Sequence, residues 1–89
     1  MTLEEARMEL DRIDAQLAAL VDKRMGVIDQ VARIKRDSGA PVHDPARERQ
    51  VTERLVALTG TKYPGALAAL YQAVFTISRD YQARMLGGA

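Results

Sequence analysis

The residues of this sequence equipped for chemistry are cations set beside apolar helical faces. Arg24 stands inside the series Leu3, Ala6, Leu10, Ile13, Leu17, Leu20, Arg24, Val27, Val31, Ile34. That three-and-four spacing marks one face of a long helix. A guanidinium keeps its charge at any ordinary pH, so placing it on a buried face without an anion is costly. Two kinds of partner would satisfy it: a carboxylate of the protein, such as Glu48 or Asp44, or an anionic ligand. Lys35 follows Arg24 by eleven residues, roughly 16 Å along a helix axis. Both long side chains could lean toward a point between them. Lys35 alone would also suit a helix end, where a cation complements the dipole. Arg7 shares its heptad position with Val21, Ile28 and Lys35. It lies roughly 25 Å from Arg24, too far for both to grip one small molecule in one chain. Arg7 would reach Arg24's ligand only from a second copy; otherwise it is a surface cation near Glu4 and Asp11.

A second group clusters around Asp44, Arg47 and Glu48. Asp44 before Pro45 reads as a helix N-cap followed by proline at the first helical position. Glu48 falls on the stripe Glu48, Val51, Leu55, Leu58, so its carboxylate must meet a cation or a hydroxyl. Arg47 adds a further cation. Ser78 and Gln82 are four apart and share a helix face, which continues Tyr71 and Val74. They could simply mark a polar helix boundary. Together these residues supply several cations, one inward carboxylate and two neutral hydrogen bonders. None has metal-site spacing. His43 is the single histidine and there is no cysteine, so neither a multi-histidine metal site nor thiolate chemistry is expected. No Ser–His–Asp arrangement and no glycine-rich phosphate loop is present. A pocket for a small polyanion, needing no metal and no cofactor, is the expectation.

Three helices must position these groups, and the fold class expected is all-α. Thr2 and Glu5 form a capping box, and the first helix should run to about Asp37, stopped by Ser38-Gly39-Ala40-Pro41. The second should span Pro45 to about Thr59. Gly60 to Gly65 is a turn cluster, and the third should run from about Pro64 to Met85. Its buried side is expected to hold Leu67, Leu70, Tyr71, Val74, Ile77, Ser78, Tyr81 and Met85. Gly87-Gly88-Ala89 should fray. A first helix of roughly 50 Å outreaches a compact domain of this size. Two shorter helices give it too little cover, so an intertwined homodimer with antiparallel long helices is expected; the alternative is a monomeric three-helix bundle with a protruding, frayed helix end.

The chain of 89 residues is read as one domain, 1–89. Its net charge is +1, with acids and bases interspersed. That argues against a nucleic-acid or membrane surface. No apolar run approaches the roughly 20 residues of a membrane span and no signal peptide is visible, so a cytoplasmic protein is expected.

The order Arg7, Arg24, Lys35, Asp44, Arg47, Glu48, Ser78, Gln82 resembles that of the all-helical (AroQ-type) chorismate mutases. The stretches that carry the likeness are Leu10-Asp11-Arg12-Ile13-Asp14, Lys23-Arg24-Met25, Ile34-Lys35, Pro41 to Glu48, and Ile77 to Gln82. They cover nearly the whole chain. The resemblance implies an intertwined dimer with two active sites, each taking Arg7 from the other protomer. It implies the Claisen rearrangement of chorismate to prephenate, in the shikimate pathway to phenylalanine and tyrosine. Arg24 and the second copy's Arg7 would hold the substrate's carboxylates, with Arg47 assisting. Lys35 and Gln82 would hydrogen-bond the ether oxygen. Glu48 would take the ring hydroxyl, with Asp44 and Ser78 in support. Three alternatives stand beside this: an isochorismate-pyruvate lyase with a related pocket, a regulatory mutase-like module of a larger shikimate-pathway enzyme, and a plain coiled-coil dimerisation module.

Overall fold

A computed structural model describes residues 1–87 of the chain. It contains α1 (Leu3–Ser38), α2 (Pro45–Thr59) and α3 (Pro64–Met85), and no strand among the described residues. Of the terminal segment expected to fray, Gly88 and Ala89 lie outside the described residues.

Local chemistry sets the ends of each helix. Thr2 Oγ1 accepts from the Glu5 backbone N–H at 3.1 Å, and Glu5 accepts from the Thr2 N–H at 3.3 Å. This closes the capping box and satisfies two otherwise orphaned donors. At the far end Gly39 turns left-handed, with φ 74°, and donates to Lys35 O at 2.7 Å. A residue with a Cβ would resist that turn, so the helix stops there. It runs one residue beyond the expected Asp37. Asp44 accepts from the Arg47 N–H at 3.1 Å and Pro45 opens α2. Pro64 likewise opens α3, which has no side-chain cap.

α3 packs against both other helices, while α1 and α2 do not pack directly on each other. Arg24–Ser78, Asp29–Tyr81 and Lys35–Gln82 contacts place α3 along the C-terminal half of α1. The fully buried described residues are Ala32, Phe75, Ser78 and Gln82. Two of them are polar, which puts hydrogen-bonding groups at the centre of the small core.

Several expected core positions are exposed. On α1 they are Leu3, Leu10, Ile13, Leu17, Leu20, Val27 and Ile34; Leu58 on α2 and Leu70 and Ile77 on α3 join them. The physical reason is a shortage of cover. Helices of 15 and 22 residues flank only part of a helix of 36. The molecule measures 52 × 24 × 19 Å with a radius of gyration of 15.9 Å, against about 12 Å for a compact chain of this length. On α3 the buried stripe is also turned toward Phe75 and Gln82, away from Leu70 and Ile77. Among the described residues, no helix is long and apolar enough to cross a membrane.

One polar strap ties α1 to α3. The Tyr81 hydroxyl donates to Asp29 Oδ1 at 2.7 Å, and Arg33 Nε donates to Asp29 Oδ2 at 3.1 Å. The hydrogen bond to Asp29, then partial burial and the carboxylate's charge, hold the Tyr81 phenol above the ordinary 10. A pKa raised in the folded state gives stability that is present below the unfolded value and lost as pH rises through the folded one. Wild type should therefore lose denaturant resistance above about pH 10. Tyr81→Phe should show a smaller loss over the same interval in urea titrations; equal slopes for both proteins would show that the strap does not set this dependence.

Candidate functional site

The gap between α1 and α2, closed on one side by α3, forms an open pocket of about 230 Å³. Arg24, Lys35, Asp44, Arg47, Glu48, Ser78 and Gln82 all line it. Seven of the eight residues singled out by spacing are thus brought together. Arg7 is not: it lies exposed on the N-terminal half of α1, outside this pocket. Ile28, Val31, Val51 and Phe75 supply apolar wall between the charges.

Arg24 is half-buried and meets a neutral partner. Its Nη1 donates to Ser78 Oγ at 2.5 Å, and that hydroxyl donates on to Val74 O at 2.8 Å. No carboxylate of the described residues lies within ion-pair distance of Arg24. Both acids considered for that role are engaged elsewhere: Asp44 caps α2, and Glu48 faces Arg79. A hydroxyl orients a guanidinium but leaves its charge uncompensated. The cation keeps N–H donors for an incoming anion.

At the other end of the pocket, Lys35 Nζ donates to Val42 O at 3.1 Å and to Gln82 Oε1 at 2.8 Å. Gln82 Nε2 donates to Ser78 O at 3.2 Å. These contacts fix the amide's orientation, since a flipped Gln82 would set its NH₂ against an ammonium, donor against donor. An ammonium carries three N–H donors and an amide nitrogen two. Lys35 and Gln82 therefore each retain one N–H beside the other. A ligand oxygen placed between them would receive two hydrogen bonds, one from a full positive charge.

Glu48 confirms the rule that an inward carboxylate finds a cation, but the cation is Arg79. Both Glu48 oxygens lie 2.6 Å from Arg79 Nη1. Arg79 was not among the residues that spacing singled out. The available signal was Glu48's need for a counter-charge and the position of Arg79 between Ser78 and Gln82 on the same helix. Arg47 lines the pocket from an exposed position and forms no ion pair among the described residues. Four cations, Arg24, Lys35, Arg47 and Arg79, face two carboxylates, Asp44 and Glu48. The excess of two positive charges suits a small dianion.

A family model described as chorismate mutase type II matches residues 6–83. The bifunctional chorismate mutase/prephenate dehydratase of Aquifex aeolicus is 32% identical over 79 residues, covering 83% of this chain and 22% of that protein. The chorismate mutase of Methanocaldococcus jannaschii is 36% identical over 53 residues, covering 60% of this chain and 54% of its own length. The chain thus spans between about a fifth and about half the length of these relatives. No solved structure matches the chain significantly.

The charge excess yields a test that needs no turnover. A small dicarboxylate such as malate, at about ten times its Kd, should raise the melting temperature of wild type by about 3 °C or more. Arg24→Leu should keep the fold and lose that shift. An equal shift in both proteins, followed by differential scanning fluorimetry, would show that Arg24 does not hold the anion.

Proposed function

This chain belongs to the chorismate mutase type II family, and from that premise we propose that residues 1–89 form a chorismate mutase converting chorismate to prephenate. The observation that carries the reading is the pairing of Lys35 with Gln82, each with an N–H to spare, across the pocket from an Arg24 that has no counter-ion among the described residues. We place the reaction in aromatic amino acid biosynthesis, as the family resemblance implies.

The chemistry suits these residues. In a [3,3] rearrangement one C–O bond breaks as one C–C bond forms, within a single molecule and without a net proton or electron transfer. No nucleophile is required. Catalysis comes from holding the flexible enolpyruvyl arm over the ring, which removes conformational freedom before the reaction. As the C–O bond lengthens, the ether oxygen becomes partly negative. The spare N–H groups of Lys35 and Gln82 meet that charge better in the transition state than in the ground state. Arg24 takes one substrate carboxylate, oriented by Ser78; Arg47 assists from the pocket's edge. Glu48 accepts from the ring hydroxyl. Asp44 supports the site by fixing the first turn of α2, on which Arg47 and Glu48 stand.

The second carboxylate falls to Arg7 of a second copy. Two features support an intertwined homodimer. The N-terminal half of α1 exposes Leu10, Ile13, Leu17 and Leu20, an apolar face that antiparallel pairing of two long helices would cover. Arg7 sits on that same half, roughly 25 Å from its own Arg24 and within reach of the partner's pocket once the helices run antiparallel.

Lys35→Ala should lower the turnover rate by at least about a hundredfold while the molecular mass stays that of a dimer; the loss of chorismate absorbance measures the first and light scattering the second. A near-native turnover would remove Lys35 from the mechanism. Arg7→Ala and Arg24→Ala should each be nearly inactive alone. Mixed and re-equilibrated, they should regain up to about a quarter of wild-type activity, because a hybrid dimer restores one of its two sites. No recovery on mixing would place Arg7 and Arg24 in separate roles.

A further inference from the structure

The Arg79–Glu48 contact does more than brace α2 against α3. We propose that Arg79 is a positioning residue that holds the Glu48 carboxylate as a charge-compensated acceptor inside the pocket; the inference rests on the mutase reading above. One nitrogen of Arg79 lies 2.6 Å from both Glu48 oxygens. The same guanidinium is tethered to α3 by Nη2 donating to Thr76 Oγ1 at 3.4 Å. Each carboxylate oxygen accepts two hydrogen bonds. The contact occupies one site on each and leaves the others for a ligand hydroxyl.

Charge makes the arrangement necessary. A bare carboxylate facing a pocket that receives a dianion repels it, and the repulsion is strongest where water is excluded. With Arg79 the pocket carries its excess of two positive charges; without it the excess is one, and Glu48 stands unpaired. A purely structural brace would have a different signature. Both side chains are partly exposed, at 28% for Arg79 and 20% for Glu48. A pair so placed adds little to stability, so an effect confined to folding would be small and would not change with the substrate's charge.

The test is a double-mutant cycle on steady-state kinetics with chorismate. Arg79→Gln should raise KM by about tenfold or more and change kcat less. Arg79→Lys, which keeps the charge, should recover most of that loss. Glu48→Gln on top of Arg79→Gln removes the unpaired carboxylate, so the double variant should have a lower KM than Arg79→Gln. Losses that multiply across the cycle, or a wild-type KM for Arg79→Gln, overturn the proposal. Should Arg79→Gln fail to fold, the double variant is compared with Glu48→Gln instead. The two should then agree within about fivefold in kcat/KM, and a larger gap overturns it. A folded wild-type chain that leaves chorismate unchanged overturns the mutase reading and this proposal together. An active wild type with multiplying losses removes only the role of Arg79.

Discussion

The structure turns on a half-buried guanidinium with no anionic partner among the described residues. Arg24 interrupts an apolar helical face, and among the described residues its side chain hydrogen-bonds the hydroxyl of Ser78 alone. A hydrogen bond to a charged group contributes about 1.5–3 kcal/mol, while withdrawing an ion from water costs several. Arg24 is only partly withdrawn, so it bears part of that cost, and the Ser78 hydroxyl offsets some of it without supplying a counter-charge. Nearby acids could have reduced the cost, yet Asp44 is spent on the α2 cap and Glu48 on Arg79. The described residues thus leave Arg24 without a counter-ion beside a cavity that Lys35 and Arg47, also without ion pairs there, line with it. Such a group gains its full partner only when an anion enters, which is how binding energy is reserved for a ligand.

The length of α1 belongs to the same design. Its C-terminal half, from Arg24 to Lys35, meets α3 and supplies two poles of the pocket. Its N-terminal half carries Arg7 and an uncovered apolar stripe. In the proposed dimer a single helix serves two sites, giving Arg24 and Lys35 to one and Arg7 to the other. A shorter helix would still form one pocket but could not deliver the second arginine. The 36-residue length, well beyond the usual three or four turns, then follows from the span between two pockets.

Much of the fold was legible because its signals are local. Thr2 with Glu5, Gly39, Asp44 with Pro45, and Pro64 mark helix ends through bonds made within a few residues. The boundaries consequently fell within one residue of the observed ones. Burial was less legible, because it depends on what lies opposite. Leu58, Leu70 and Ile77 have core chemistry but stay more than half exposed, because too little of the chain packs opposite them. On α3 the apolar residues are so dense that periodicity admits more than one face, and only contact with α1 selects Phe75 and Gln82. The residues of the pocket were legible as types in a spacing. Their pairings were not: Glu48 was a candidate partner for Arg24, yet Arg79 holds it through the placement of α3 against α2, which no local pattern encodes.

A single turn of α3 sets the geometry of both ends of the pocket. Ser78 orients Arg24 through its hydroxyl, and its backbone carbonyl receives the Gln82 amide. Gln82 in turn fixes Lys35, a second donor of which is tied to Val42 O while its third stays free for a ligand. The chain of contacts from Arg24 to Lys35 is continuous, and its two central members are about 95% buried. Burial there serves orientation, since neither side chain is free to rotate away without stranding a polar group. The donors therefore point into the cavity before any ligand arrives. For a reaction that requires only confinement and a stabilised oxygen, that advance orientation is most of what a protein can contribute. It explains why two polar residues occupy half of so small a core.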